Sequence, residues 1–313
     1  MGAFDGIQSA LNPQGLGAAV IAEMLWVLCV GAAIIFLAVM TLLAYAVFAP
    51  REQTTRLASR VLIVGGGIVF PVLTLSALLV YSLVRAGSLD PRAQPPAMRI
   101  EVIGEQWWWR VHYLDAGGRR DFVTANEIHI PVGQPVELEL KSADVIHSFW
   151  VPALAGKLDM IPGRTNRLRI QADRPGRYRG QCAEYCGGPH AFMALFVIAE
   201  PLEDFERWMQ RERRPATAPA EDIRRKGRAV FVAHCAACHT VRGTAAAGTR
   251  GPDLTHVGRR EFIGAGLLPN NAGTLAGWIA STQHLKPGNL MPAFDMLSGA
   301  ELRAVAAYLA GLH

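Results

Sequence analysis

Hydrophobic and polar positions divide the chain into three regimes. From Met24 to Phe48 run 25 residues without a charge, and from Val61 to Val84 run 24 more, mostly Leu, Val, Ala and Ile. About 20 apolar residues in a helix cross a bilayer core of ~30 Å, so each stretch predicts a membrane span. Glu23 bounds the first span, and Gly65, Gly66, Gly67 and Pro71 lie inside the second, where membrane helices tolerate them. A secretory signal peptide fits the first stretch poorly, because no Lys or Arg precedes it and it exceeds an h-region in length. After a short linker, QPPA at 94–97, the pattern switches to a period of two: MRIEVIG, WWWRVHY, EIHIP, VELELKS, NRLRIQA, GRYRGQ and FMALFVIAE. Such runs, punctuated by Gly and Pro, predict an all-β sandwich or barrel of about 100 residues. PLEDFERWMQRERR then reads as a helix and PATAPA as a second linker. From Glu221 onward, helical ends (EDIRRKGRAVFVAH and SGAELRAVAAYLAGL) flank a Gly/Pro-rich middle.

The predicted architecture is therefore a multidomain membrane protein. Residues 1–93 carry the N-terminal segment and two transmembrane helices, at about 24–48 and 61–84. An all-β domain covers 94–214, a linker 215–220 and an all-α domain 221–313.

Composition sharpens this picture. Only 18% of the 313 residues are charged, against about 25% for soluble domains, and the two spans account for the shortfall. The net charge of +5 is spread without a Lys/Arg block, so a nucleic-acid partner is not expected. It is also uneven: Glu221–His313 has ten basic against six acidic residues, Ala97–Gln210 thirteen against fifteen. Arg51, Arg56 and Arg60 in the connecting loop, with none before the first span, favour a cytoplasmic loop and both ends outside. Arg85, Arg92 and Arg99 after the second span weaken that signal.

Five cysteines carry the chemistry. Cys29, inside the first span, reads as a small buried hydrophobe. Cys235-Ala-Ala-Cys238-His239 is the attachment signature of c-type haem: two thiols add to the porphyrin vinyls and the adjacent His faces the iron. A thioether sixth ligand is expected from Met291, in an extended loop fixed by Pro292, with Met296 as competitor. Pro252 is placed to accept from the other nitrogen of His239 and so orient the ring. In the other pair, Cys182 and Cys186 precede His190 and Met193, and His147 follows an earlier strand. A disulfide is the plain alternative. However, two thiolates, two imidazoles and a thioether are a ligand set that selects copper, and the second thiolate suggests two ions sharing both sulfurs.

At these residues the chain resembles subunit II of cytochrome c oxidase, in the form with a fused C-terminal class I cytochrome c domain. The likeness extends over the two-helix hairpin, Gly104-Glu105-Gln106-Trp107-Trp108-Trp109, the 144–152 stretch DVIHSFWVP, the 157–164 stretch KLDMIPGR and the Cys182–Met193 loop. It implies a cupredoxin-like domain holding dinuclear CuA, with His147, Cys182, Cys186, His190 and Met193 as side-chain ligands and Glu184 ligating through its carbonyl. The Glu184 carboxylate would reach a magnesium ion at the interface with the catalytic subunit. Trp107 matches the aromatic that receives electrons. Glu105 departs from the family pattern. Plain core packing, with Trp107 and Trp109 on one strand face and Trp108 on the other, also fits the Trp run. Asp144 reads as a docking carboxylate, a contact for the cytochrome domain or a solvated charge.

The resemblance implies the electron-input subunit of a respiratory terminal oxidase (an oxidoreductase and translocase). Electrons would pass from cytochrome c through haem c and CuA to a catalytic haem-copper oxidase subunit I, which reduces oxygen to water and pumps protons. The other oxidase subunits would be further partners. A CuA-bearing nitric oxide reductase subunit is the alternative. Haem c attachment places both soluble domains on the periplasmic side of a bacterial cytoplasmic (inner) membrane, in a multi-pass chain.

Overall fold

A computed structural model describes residues 8–50, 60–87, 89 and 95–313. Arg51, Arg56, Arg92 and Gln94 lie outside the described residues. Both apolar stretches form helices, α1 (Leu16–Phe48) and α2 (Arg60–Gly87), each long and apolar enough to cross a membrane. Helix α1 begins about two turns before Met24, the predicted start, so Glu23 lies within it and does not bound it. The start of the helix, through Ala18, belongs with the β module: the Ala18 amide donates to Leu154 O at 3.0 Å, and a Cβ on Gly15, just before the helix, would stand 2.1 Å from Gln171 O. Helix α2 widens into one π turn at Gly65–Val69, where three glycines remove side-chain crowding. Within the hairpin, Arg85 pairs with Glu23, which also accepts from the Tyr81 hydroxyl at 3.1 Å.

The period-two region folds as a sandwich of two five-stranded sheets. The strands are β1 (Met98–Glu105), β2 (Trp108–Leu114), β3 (Arg120–Ala125), β4 (Glu127–Pro131), β5 (Val136–Ser142), β6 (His147–Trp150), β7 (Leu158–Met160), β8 (Asn166–Ile170), β9 (Gly176–Cys182) and β10 (Ala194–Glu200). One sheet runs β3-β2-β1-β5-β8 and the other β4-β10-β9-β6-β7. Alternation supplies the core: Val111, Tyr113 and Trp109 point inward from β2, and Leu138 and Leu140 from β5. Strand β6 is not among the period-two runs, since its four residues, with His147, Ser148 and Phe149 all buried, show no alternation. The Trp run also departs from expectation. Strand β2 starts at Trp108, so Trp107 sits in the turn before it, and only Trp108 (half-buried) and Trp109 (buried) alternate. Helix α3 (Leu202–Glu212) closes the sandwich with Phe205 and Trp208, whose indole stacks on His129 at 4.0 Å.

The last segment is a helical module. It contains α4 (Asp222–His234), a two-stranded hairpin β11 (Phe262–Ile263) and β12 (Leu268–Pro269), α5 (Ala272–Leu285) and α6 (Gly299–Ala310). Helices α4 and α6 cross closely at Gly227, where a Cβ would lie 2.0 Å from Ala304 O. The sequence pattern did not predict α5, because its small and polar residues carry almost no apolar stripe; an Asn271–Thr274 capping box starts it. The β and helical modules form one compact unit, together with residues 8–18.

Candidate metal centres

The first centre is assembled where β6 and β9 pair. Phe149 is opposite Cys182, and the Ala183 amide donates to Ser148 O at 2.9 Å, which brings His147 beside Cys182. The loop between β9 and β10 then carries the other donors, and its neck is closed by Cys182 N–H to Met193 O at 2.9 Å. The Sγ atoms of Cys182 and Cys186 lie 3.7 Å apart as free thiols. Cys182 Sγ is 3.8 Å from His147 Nδ1 and 3.1 Å from Glu184 O. Cys186 Sγ is 3.4 Å from His190 Nδ1 and 3.9 Å from Met193 Sδ. Sulfur and imidazole donors on a single buried cluster suit a soft or borderline cation.

Electrostatics point the same way. A hydrogen bond from Cys186, aided by His147 and by backbone groups, pulls the Cys182 thiol down to about 4. Its negative partner and burial push Cys186 up. Two thiolates this close need a positive charge between them, and a metal supplies one. His147 is oriented by a contact absent from the sequence expectations: its Nε2 donates to Asp144 Oδ1 at 2.7 Å, leaving Nδ1 facing the sulfurs. Burial opposes protonation of His147, but Cys182 and Asp144 raise its pKa on balance. Asp144 also accepts from the Gln106 amide at 2.7 Å, so both these contacts lie within the β module, on the turn before β2 and on His147. Gly104 was overlooked too; a Cβ there would stand 2.7 Å from the His147 ring.

Trp107 adjoins this loop. Its indole N–H donates to Cys186 O at 2.9 Å, and the Gln106 side chain donates to the same oxygen at 2.8 Å. Gly187, at φ +116°, leaves room for the indole. Glu105 does not stay a free charge: it pairs with Arg110 at 2.5 Å, and Arg110 Nη2 donates to Thr249 O of the helical module at 2.8 Å.

The second centre follows α4. Cys235 caps the helix and is buried, Cys238 is half-buried, and the His239 amide donates to Cys235 O at 3.0 Å. His239 Nδ1 donates to Pro252 O at 2.9 Å, the expected orienting contact, so Nε2 remains for an iron. Burial lowers the pKa of His239, which keeps the ring neutral, and burial raises the Cys235 thiol to about 11. A Cβ on Gly251 would come within 2.5 Å of the His239 ring. Met291 is half-buried against the core of this module, and its carbonyl accepts from Thr282 Oγ1 and Gln283 Nε2. Met296, the competitor, is 69% exposed.

Comparison with known proteins gives the family of each module. Residues 113–200 match the cytochrome c oxidase subunit II periplasmic domain, and residues 225–313 match cytochrome c. The chain is 42% identical over 224 residues to cytochrome c oxidase subunit 2 of Alkalihalophilus pseudofirmus, an alignment covering 71% of this chain and 64% of that protein. It is 30% identical over 264 residues to the same subunit of Bacillus sp. strain PS3, covering 78% of this chain and 72% of that one. The chain belongs to the cytochrome c oxidase subunit 2 family. A crystal structure of the periplasmic domain of this subunit from Bradyrhizobium japonicum is 31% identical, with a TM-score of 0.36, covering 38% of this chain and 95% of that one. In this subunit 2 chain the matched domains imply copper and haem, and the fold is the expected one: two apolar helices, a cupredoxin-like sandwich and a helical cytochrome c module.

Proposed function

We propose that this subunit 2 chain is the electron-input subunit of a respiratory oxidase that reduces oxygen to water and pumps protons. Bound haem c and dinuclear CuA would supply one-electron carriers between a donor cytochrome c and the catalytic subunit I. Cys182, Cys186, His147, His190 and Met193 would hold the copper pair by side chains, and Glu184 by its carbonyl. The Glu184 carboxylate would reach a magnesium ion at the interface with subunit I. Cys235 and Cys238 would bind haem covalently, with His239 and Met291 axial and Pro252 orienting His239. Trp107 would receive electrons beside the copper loop. The single observation that carries this reading is the double thiol of Cys182 and Cys186, 3.7 Å apart with an imidazole nitrogen beside each sulfur.

The protein's own work is positioning. Asp144 and Pro252 each fix one imidazole so that its other nitrogen points at the metal position. Burial of Cys182 and Cys186 keeps water away from both sulfurs. Covalent haem attachment would put both soluble modules on the outer face of a bacterial inner membrane, with the two helices spanning it. Among the described residues the modules hold no feature that separates oxygen from nitric oxide as the acceptor, and the family membership favours oxygen.

The test is optical and EPR spectroscopy of the purified full chain. A c-type haem spectrum together with a mixed-valence dicopper signal is expected. A mononuclear copper signal, or a Cys182–Cys186 disulfide without copper, refutes the assignment. Met291→Leu should leave haem covalently bound and change its axial-ligand spectrum.

A further inference from the structure

Lys286 lies just after α5, on the segment that leads to Met291. It is 3% exposed, and among the described residues it has no carboxylate partner. A buried ammonium is costly unless its donors are satisfied, and it has three of them. Here all three are used on backbone carbonyls: Trp107 O at 2.7 Å, Phe192 O at 2.7 Å and Gly264 O at 3.1 Å.

The origin of those carbonyls matters. Trp107 is the turn residue whose indole binds Cys186 O, Phe192 directly precedes Met193 in the copper loop, and Gly264 belongs to the β11–β12 hairpin of the helical module. One side chain thus joins three loops from two modules. Nearby, a Cβ on Gly288 would lie 3.9 Å from the Trp107 ring, so the chain running on to Met291 passes over the indole. The surrounding contact is close-packed: Ala194 N–H donates to Ala265 O at 3.0 Å, and Phe196 stacks on Phe262 at 4.3 Å. At the rim, Arg177 pairs with Glu261 at 2.5 Å, where both side chains are largely exposed.

We propose that Lys286 is a positioning residue that clamps the Met291 segment of the haem module onto the Trp107 turn and the copper loop. It thereby fixes the approach of the haem module to the copper module. The inference rests on the functional reading above only in taking those two loops as metal-bearing. The buried ammonium adds a directed tie at the centre of the contact, beside the Ala194–Ala265 bond: three carbonyls aim at one point, whereas apolar surfaces alone tolerate displacement. It also answers why a cation sits in an interface core, a place from which charges are normally depleted.

The experiment uses the full chain in detergent, with a protease site built between Pro215 and Ala220. After cutting, the wild-type cytochrome fragment should stay with the copper fragment through 1 M salt. Lys286→Met keeps the aliphatic stem and removes the three donors. Since hydrogen bonds to charged groups are the stronger kind, K286M should release the fragment about tenfold more readily or beyond. Electron exchange between haem and copper after photochemical reduction of the haem should slow by about the same factor, with both metal spectra unchanged. Arg177→Gln, at the rim, should change neither quantity by more than about twofold. K286M with wild-type retention and exchange overturns the clamp. If K286M loses a metal spectrum, Lys286→Gln is measured in the same way. Wild-type fragments that separate on cutting overturn the clamp without any variant. A wild type whose haem and copper never exchange electrons refutes the functional reading, while fragment retention still decides the clamp.

Discussion

Glu101 is a buried carboxylate on β1, 4% exposed, held by Arg120 and Lys141. Desolvation acts to raise its pKa, but hydrogen bonds and charge from Lys141 and Arg120 outweigh it and leave the pKa below the ordinary 4.5. Its contribution to stability is therefore complete above that value and is lost as pH falls through the lowered one. Glu101→Gln should cost about 1–3 kcal/mol at pH 7. It should also flatten the acid limb of thermal stability below about pH 4.5 relative to wild type. An unchanged acid limb, followed by calorimetry, would contradict this assignment. At the same scale the candidate sites were unevenly legible. Cysteine and histidine spacing pointed to both candidate centres, because the Cys182–Met193 and Cys235–His239 segments each crowd several donor side chains into a short stretch. Asp144 and Gly104 were not legible, since an orienting carboxylate and a missing Cβ have no periodic signature. Lys286 was invisible for the same reason: its partners are backbone carbonyls distant in sequence.

At the scale of elements, hydrophobic period predicted the parts whose faces differ. The two spans, most strands of the sandwich, α4 and α6 followed from it, while β6 and α5 did not. Strand β6 is buried on both faces, and α5 owes its start to a capping box and its position to packing against α6. The crossing of α4 on α6 gives the sharpest test. Gly227→Ala puts a methyl 2.0 Å from Ala304 O, a backbone atom that cannot rotate away. The helices must separate, at a cost of about 3 kcal/mol. The measurement is the midpoint of denaturant unfolding read at the haem band, which should fall while the copper signal in the same sample persists to higher denaturant.

At the scale of the molecule, the β and helical modules share one compact unit, and the ion pair Arg177–Glu261 between them joins a cation of the acidic module to an anion of the basic one. Arg177–Glu261 and Arg110–Thr249 mark the rim, and Lys286 occupies the middle. In the unmodified chain, haem and copper signals should disappear with coincident midpoints on heating. Removing only the Arg177–Glu261 pair should move those midpoints by no more than about 0.5 kcal/mol equivalent, because exposed ion pairs are weak. Separate midpoints in the wild type would show that the interface contributes little to stability.

The stretch joining the two modules has its own bearing on this arrangement. It is sewn down: Ala216 N–H donates to Arg242 O, Arg242 Nη2 to Glu212 O, and His256 Nε2 to Arg214 O. A donor held on so short a leash meets its acceptor at an effective concentration in the millimolar range or above, whatever the dilution of the sample. On the proposed route, transfer at that internal junction would have no second-order step, and crowding, dilution or scarcity of a mobile carrier would act only at the outer surface of the helical module.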